Sequence, residues 1–170
     1  SNLLAIVENS AVLLIVALAM TLIVASGGID LSVGVAVDFG AAFAMVALRD
    51  YGAPWHVAIL AGLGGAGLVG AFNALLIVAL GVRPFLATLG TFFIGSSIQR
   101  IYTDGGGPIA FRRMEQAFRD LAAGNLWGIP MEVVIAGAVA LAYYLLLERT
   151  VHGRRIHAIG LQPRAARLAG

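Results

Sequence analysis

Five polar side chains lie within or beside long apolar runs of this 170-residue sequence and are its candidates for chemistry: Asp30, Asp38, Asn73, Gln99 and Glu132. An aspartate at the centre of a membrane-spanning helix costs about 2.5–3.5 kcal/mol on insertion scales. Because Asp38 lies inside an apolar run, it must be paired, protonated or exposed to a water-filled cavity. One interpretation makes it a residue of a hydrophilic path or proton relay, and the other a buried structural hydrogen-bonding group.

The other polar groups have similar pairs of interpretations. Asp30 stands beside glycines, where an aspartate commonly accepts backbone N–H groups at the start of the next helix, and Ser32 can help to close the same turn. The alternative places both side chains on the path. Asn73 either bridges two helices or contacts a substrate. Gln99 and Glu132 lie near the ends of apolar runs, where water can solvate them.

Residue types argue against an enzyme. The three histidines have no metal-ligand spacing, and the sequence contains no cysteine, so we expect neither a metal site nor a thiol nucleophile. The surroundings of Ser26 do not resemble a Gly-x-Ser-x-Gly nucleophile turn. The sequence also has no lysine, which excludes a phosphate-binding Gly-x-x-x-x-Gly-Lys loop. We therefore expect no catalytic residue and no bound cofactor.

The composition is that of a membrane protein. Residues of hydrophobic type make up 60% of the chain and charged residues 12%, whereas a soluble domain is about 25% charged. The net charge of +2 comes with arginines that lie at the ends of apolar runs rather than in one patch, which argues against nucleic-acid binding. The sequence is therefore predicted to be an integral membrane chain.

The elements that must position the polar groups are about five transmembrane helices, each needing about 20 apolar residues or a little fewer. The predicted apolar runs cover residues 11–25, 35–48, 55–80, 85–101 and 130–147. The first two are short, and a glycine-rich interruption at residues 26–34 separates them, with Gly27, Gly28 and Gly34 breaking the helix. Backbone of this kind is tolerated at membrane depth only where protein or a wet cavity covers it. The predicted fold is therefore all-α and polytopic, with a broken helix or hairpin at residues 26–34.

Two further local predictions concern the third run and the connection at residues 103–128. Gly62, Ala66 and Gly70 are spaced by four, which favours close helix packing in lipid. The connection is polar and irregular, with a short amphipathic helix at residues 114–122 lying in the membrane interface.

Arginine placement predicts the orientation. The C-terminal segment carries the densest arginine cluster and is therefore predicted to be cytoplasmic. Counting spans backwards puts residues 103–128 and 49–54 outside and the interruption at residues 26–34 on the cytoplasmic side. The predicted domains are a transmembrane part, residues 1–147, and a cytoplasmic segment, residues 148–170.

Several stretches together resemble one family, the membrane permeases of bacterial ATP-binding cassette importers for ribose and related sugars. The stretch SGGIDLSVG at residues 26–34 carries the resemblance most specifically. NALLI at 73–77, RPFLATLGT at 83–91 and GGGPI at 105–109 follow in family order. GRRIHAIG at 153–160 and AARLAG at 165–170 resemble the cytoplasmic loop that docks on the ATPase. We expect a truncated, N-terminal half of such a permease.

The resemblance implies a function and its residues. It implies import of a monosaccharide across the bacterial inner membrane, with ATP bound by a partner subunit, a periplasmic sugar-binding protein and a second permease subunit. The expected translocation-path residues are Asp30, Ser32, Asp38 and Asn73. The expected ATPase-docking residues are Gly160, Pro163, Arg164, Ala165, Ala166 and Gly170, where Pro163 starts the docking helix at its first turn.

Two other classes of function remain open. A proton-coupled secondary transporter or channel would use Asp30 and Asp38 as its relay, and broken helices suit that class too. A non-transporting assembly module would account for the short chain. An ATPase that co-purifies with the protein would favour the importer.

Overall fold

The computed structural model describes residues 2–105, 107 and 116–168, and these residues form two compact units. One unit comprises the described residues of Ser1–Ile29 and Arg119–Gly170, and the other those of Asp30–Phe118. In chain order the helices and strands are α1 (Asn2–Ala25), α2 (Val33–Arg49), α3 (Trp55–Ala74) with a π-helical turn (Leu75–Ala79), α4 (Pro84–Tyr102), α5 (Gln116–Ala123), β1 (Asn125–Leu126), β2 (Ile129–Pro130), α6 (Met131–Arg149), α7 (Val151–Leu161) and α8 (Pro163–Leu168).

Over the described residues the fold is all-α, as predicted, apart from an antiparallel hairpin of two-residue strands between α5 and α6. Three described segments are long and apolar enough to cross a membrane: Ile6–Ala25, Trp55–Ala79 and Met131–Arg149. Among the other long helices, α2 has only 17 residues, and α4 carries several polar side chains. The first predicted run was too short at its N-terminal end, because the helix continues through Glu8 and Ser10 back to Asn2.

In the unit of Asp30–Phe118, α2 and α3 pack through glycine. Gly65 is buried, and a Cβ built on it would lie 2.7 Å from the carbonyl oxygen of Phe39 and from the ring of Phe43. Gly62 approaches the backbone of Gly40 in the same way, with a built Cβ 3.0 Å from its oxygen. The packed face of α3 has a helical period and contains Ala58, Gly62, Gly65, Val69 and Asn73. Close packing of α3 was correctly predicted, but Gly70 is not part of the packed face, since a Cβ there would meet no atom within 4 Å.

We expect Gly65→Ala to destabilise this unit and Gly64→Ala to leave it nearly unchanged. The new methyl group at position 65 would press on the backbone of α2, and overpacking of this kind costs about 1–3 kcal/mol. A Cβ on the neighbouring Gly64 meets no atom within 4 Å. Thermal unfolding of the two full-length variants in the same detergent measures the difference, and equal midpoints would contradict the packing described here.

In the other unit, α1 packs against α6 and α7, and α6 leads directly into α7. The most buried residues of α1 and α6 are alanines, Ala11 and Ala136. The C-terminal segment, which the sequence predicts to be polar, is more helical than expected. An 11-residue helix, α7, precedes the predicted docking helix α8, which does begin at Pro163.

Sequence features could have predicted α7. Thr150 is its N-cap, and its side-chain oxygen accepts the backbone N–H of Gly153 at 3.2 Å. Threonine is a preferred residue at this position.

The connection at residues 103–128 is also less irregular than predicted. It contains α5, within the predicted amphipathic stretch for residues 116–122, and the hairpin turn at Trp127 and Gly128, both with positive φ. Met114 and Glu115 lie outside the described residues.

Candidate functional site

The glycine-rich interruption is a regular helix end followed by a turn. Gly27 has φ +77°. The backbone N–H of Gly27 donates to the carbonyl oxygen of Val24 at 2.9 Å, and the N–H of Gly28 donates to the carbonyl oxygen of Ile23 at 3.0 Å. This pair of bonds is a Schellman cap, which requires a left-handed residue best supplied by glycine. The predicted break is therefore found at Gly27 and Gly28. It ends earlier than predicted, because Gly34 already lies inside α2.

Asp30 is at one end of a chain of hydrogen bonds that joins the turn to two helices. One carboxylate oxygen of Asp30 accepts both the backbone N–H and the hydroxyl of Ser32, each at 2.7 Å. The amide nitrogen of Asn73 on α3 donates to the Ser32 hydroxyl oxygen at 2.7 Å. The hydroxyl of Thr91 on α4 lies 2.6 Å from the amide oxygen of Asn73. Three of the four sequence-predicted path residues thus meet in one network, which Thr91 completes.

The network is buried and has one direction. Ser32, Asn73 and Thr91 are 1%, 7% and 4% exposed, whereas Asp30 is half-buried. Each group donates towards Asp30, so the charged carboxylate is the final acceptor, and hydrogen bonds to a charged group are the stronger kind. Asn73 therefore bridges helices, as one of the two interpretations had it. Asp30 accepts the N–H of the residue that precedes α2, which is an Asx turn rather than a bond into the helix.

Asp38 does not belong to this network. It lies in α2 six residues beyond Ser32, is half-buried, and lines a cavity of about 450 Å³ between α2 and α4. Gln99, Tyr102 and Thr103 of α4 and the following turn line the same cavity. Sequence reasoning treated Gln99 as a solvated boundary residue and did not single out Tyr102. The i, i+3, i+4 spacing of these three side chains was the available signal for one polar face.

The predicted docking segment reaches the helix break within one compact unit. A Cβ built on Gly160 of α7 would overlap the carbonyl oxygen of Ala25 and lie 3.2 Å from the backbone nitrogen of Gly27. A Cβ built on Gly27 would in turn lie 3.4 Å from the Cα of Gly160. The two segments therefore touch backbone to backbone.

The remaining docking residues lie in or beside α8. Pro163 and Arg164 are exposed and open the helix, and Ala166 is half-buried. Gln162 before Pro163 is extended, with φ −148° and ψ 88°, as the residue before a proline prefers. Ala165 lies within α8, and Gly170 lies outside the described residues. A role in ATPase docking stays a prediction for all six residues. A role in transport likewise stays a prediction for the four path residues.

A surface ion pair lies at the far end of α2. The guanidinium of Arg49 donates to the carboxylate of Asp50 at 2.7 Å and holds the pKa of Asp50 below its ordinary value. Both side chains are exposed, and exposed pairs contribute little to stability. Asp50, one residue beyond the end of α2, therefore serves as a reference aspartate for substitutions at Asp38.

Apolar helices long enough to span a membrane, together with a helix break that packs against α7, define a multi-pass integral membrane protein. Residues 2–170 match the family described as "Branched-chain amino acid transport system / permease component". The chain therefore belongs to this family of transport permeases.

Individual relatives agree with this assignment. The chain is 32% identical over 166 residues to the galactofuranose transporter permease protein YtfT of Escherichia coli (strain K12), covering 97% of this chain and 47% of the relative. It is 37% identical over 157 residues to the autoinducer 2 import system permease protein LsrD of Yersinia pestis (strain Pestoides F), covering 90% and 46%. The chain thus spans about half the length of the relatives it matches. No solved structure matches it.

Proposed function

We propose that this chain forms the N-terminal half of the permease subunit of an ATP-binding cassette importer, and that the complete permease moves a monosaccharide across the bacterial inner membrane. ATP is bound and hydrolysed by a separate subunit, since the chain lacks the lysine that a phosphate-binding loop needs. A periplasmic sugar-binding protein and a second permease subunit complete the assembly. The names of the relatives, a galactofuranose permease and an autoinducer 2 permease, support this class of transport. Ribose-like sugars are the first substrates to test.

The observation that carries the proposal is the contact of Gly160 with Ala25 and Gly27. In such an importer, movement of the docked ATPase must reach the path through rigid elements. Here α7 is tied to the end of α6 through the Thr150 cap and to the end of α1 through Gly160. Three residues after Gly27 along the chain, Asp30 begins the buried polar network. The docking segment and the network are therefore linked by a short, capped stretch of backbone.

Uptake into membrane vesicles tests the function directly. The full-length permease, assembled with its ATPase subunit and binding protein, is expected to accumulate radiolabelled ribose or another monosaccharide only when ATP is supplied. Uptake should persist when a protonophore removes the proton gradient. Uptake that follows the proton gradient and needs no ATPase would instead establish the proton-coupled transporter that uses Asp30 and Asp38. No uptake of any monosaccharide in an intact complex would remove the proposal.

Ala166→Glu tests the docking surface. A buried charge without a partner is strongly unfavourable at an interface, so we expect the ATPase subunit to be lost from the purified permease. Val151→Glu is the matched control because Val151 is 51% exposed at the start of α7, before both stretches that resemble the docking loop. Pull-down of the ATPase by tagged permease measures both variants. Retention of the ATPase by Ala166→Glu, at the level of the control, would contradict docking at α8.

A further inference from the structure

The cavity between α2 and α4 begins where the two helices separate. At Gly95 the side chain of Val35 packs directly on α4, so closely that a Cβ on Gly95 would overlap it. One turn further along, Asp38 on α2 and Gln99 on α4 line a cavity of about 450 Å³. In the predicted orientation this cavity lies towards the outside, and the Val35–Gly95 contact forms its inner end.

Asp38 indicates that water fills this cavity in the complete protein. Among the residues that the structure describes, its carboxylate has no hydrogen-bond or ion-pair partner, although it lies well inside α2. A carboxylate covered by lipid or by an apolar helix would remain unsolvated, which is strongly unfavourable. An apolar helix from the rest of the permease that filled the cavity would leave Asp38 in that condition. An aqueous cavity would satisfy it.

The lining has the character of a small-molecule site. It is mostly apolar, with Phe39 and Phe43 on α2, and it carries a few polar groups that can orient a ligand. Small-molecule pockets usually have this composition and volumes of roughly 300–1,000 Å³. A carboxylate accepts hydrogen bonds from hydroxyl groups, and a glutamine amide both donates and accepts. These are the complements of a sugar's hydroxyl groups, while the phenylalanines can contact its C–H faces.

We propose that this cavity is a transient binding site for a neutral monosaccharide on its way through the permease, oriented by Asp38, Gln99 and Tyr102. The proposal rests on the proposed function and adds its site and a charge preference. Among the described lining residues, Asp38 is the only ionisable side chain other than the tyrosine. An anionic sugar would therefore face a like charge and no cation, which disfavours it.

Cysteine accessibility tests whether the cavity is wet. The chain contains no cysteine, so single cysteines can be placed in a cysteine-free full-length permease assembled with its ATPase. Ala42 lines the cavity, whereas Val37 on the same helix is 51% exposed and does not line it. A charged, membrane-impermeant thiol reagent does not enter hydrocarbon, so we expect the Ala42→Cys variant to react about tenfold faster than Val37→Cys. Equal and slow reaction of both variants would mean that protein or lipid covers the cavity, and would overturn the proposal.

Protection of the Ala42→Cys variant tests the ligand. Added galactose should slow its modification about fivefold once free galactose reaches about four times its dissociation constant, as mass action requires. Galacturonate, which differs by a carboxylate, should protect much less, and adding Asp38→Asn should remove the difference between the two sugars. Asp50→Asn, the same change in the exposed pair with Arg49, should leave the difference intact. Equal protection by both sugars, or none by either, would overturn the proposal.

The outcome is separable from that of the proposed function. Protection reports on the cavity without ATP or transport, whereas ATP-driven uptake reports on the importer. A permease with normal ATP-driven uptake but no galactose-sensitive labelling would overturn the site alone.

Discussion

Replacing Gly160 by alanine is expected to reduce ATP-driven uptake about tenfold or more in the full-length permease assembled with its ATPase subunit. The added methyl group would overlap the carbonyl oxygen of Ala25 and come within 3.2 Å of the Gly27 nitrogen. Backbone atoms cannot rotate away as a flexible side chain can, so α7 must shift from the end of α1. Overpacking costs about 1–3 kcal/mol, and each 1.4 kcal/mol corresponds to about tenfold in a rate.

The readout must separate coupling from stability. The measurement is sugar taken up per ATP hydrolysed by equal amounts of assembled complex, together with the ATPase rate without binding protein. We expect Gly160→Ala to lower the ratio while ATP hydrolysis continues. If uptake falls only in proportion to the amount of complex recovered, the contact is structural and does not transmit motion.

Glycines elsewhere in the chain provide matched controls. Gly137 lies in the middle of α6, where a Cβ would meet no atom within 4 Å, so Gly137→Ala should behave as the native protein. Gly27→Ala combines a positive φ with the contact to α7, whereas Gly81 has φ +69° and open space. The left-handed conformation alone costs about 1–2 kcal/mol for a residue with a side chain. Any loss of coupling in Gly27→Ala beyond that in Gly81→Ala therefore measures the contact.

Asn73→Asp is expected to destabilise the fold by about 2–3 kcal/mol, because the buried network depends on the direction of each hydrogen bond. Asn73 donates to Ser32 and accepts from Thr91, and an aspartate of the same shape cannot donate when ionised. The Ser32 hydroxyl already gives its hydrogen to Asp30, so a second carboxylate would face its oxygen lone pairs. Asn73→Leu should cost less, because the Thr91 hydroxyl can still donate to the oxygen of Ala87 at 3.0 Å and the Ser32 hydroxyl to Asp30.

Thermal unfolding of the purified permease measures this effect. Ser97→Ala is the control on α4, because Ser97 is exposed and, within the described part of the chain, its hydroxyl bonds only to the oxygen of Phe93 in its own helix. We expect its unfolding midpoint to change little. A double-mutant cycle with Ser32→Ala and Asn73→Ala should show a coupling energy of about 0.5–3 kcal/mol, as for residues that share a network. Strict additivity of the two changes would contradict the network as described.

Features set by neighbouring residues were predicted well from the sequence. Gly27 and Gly28 end α1, and Pro163 begins α8, because caps and proline positions depend on contacts within a few residues. Failures came where local signals were weak or ambiguous. Spacing by four placed Gly70 on the packed face of α3, but the face follows the 3.6-residue period through Gly65.

The candidate site depends on contacts between residues far apart in the chain. Asn73 meets Ser32 across 41 residues and Thr91 across 18. Nothing in the sequence around Thr91 marks it as a partner of Asn73, because its position on the inner face of α4 is defined only by how α4 packs. For the same reason the sequence predicted that water can solvate Gln99 but not that Gln99 shares a cavity with Asp38.

The sequence by itself determined that this protein is an all-α membrane protein with a glycine-built helix break, because composition and short-range backbone chemistry suffice for those properties. That it is a permease was indicated by the resemblance of its motifs, first of all residues 26–34. Only the tertiary structure decided that Asp30 ends a buried network while Asp38 faces a cavity, and that Gly160 touches the break. Those relations arise from helix packing, which the order of residues along the chain does not specify locally.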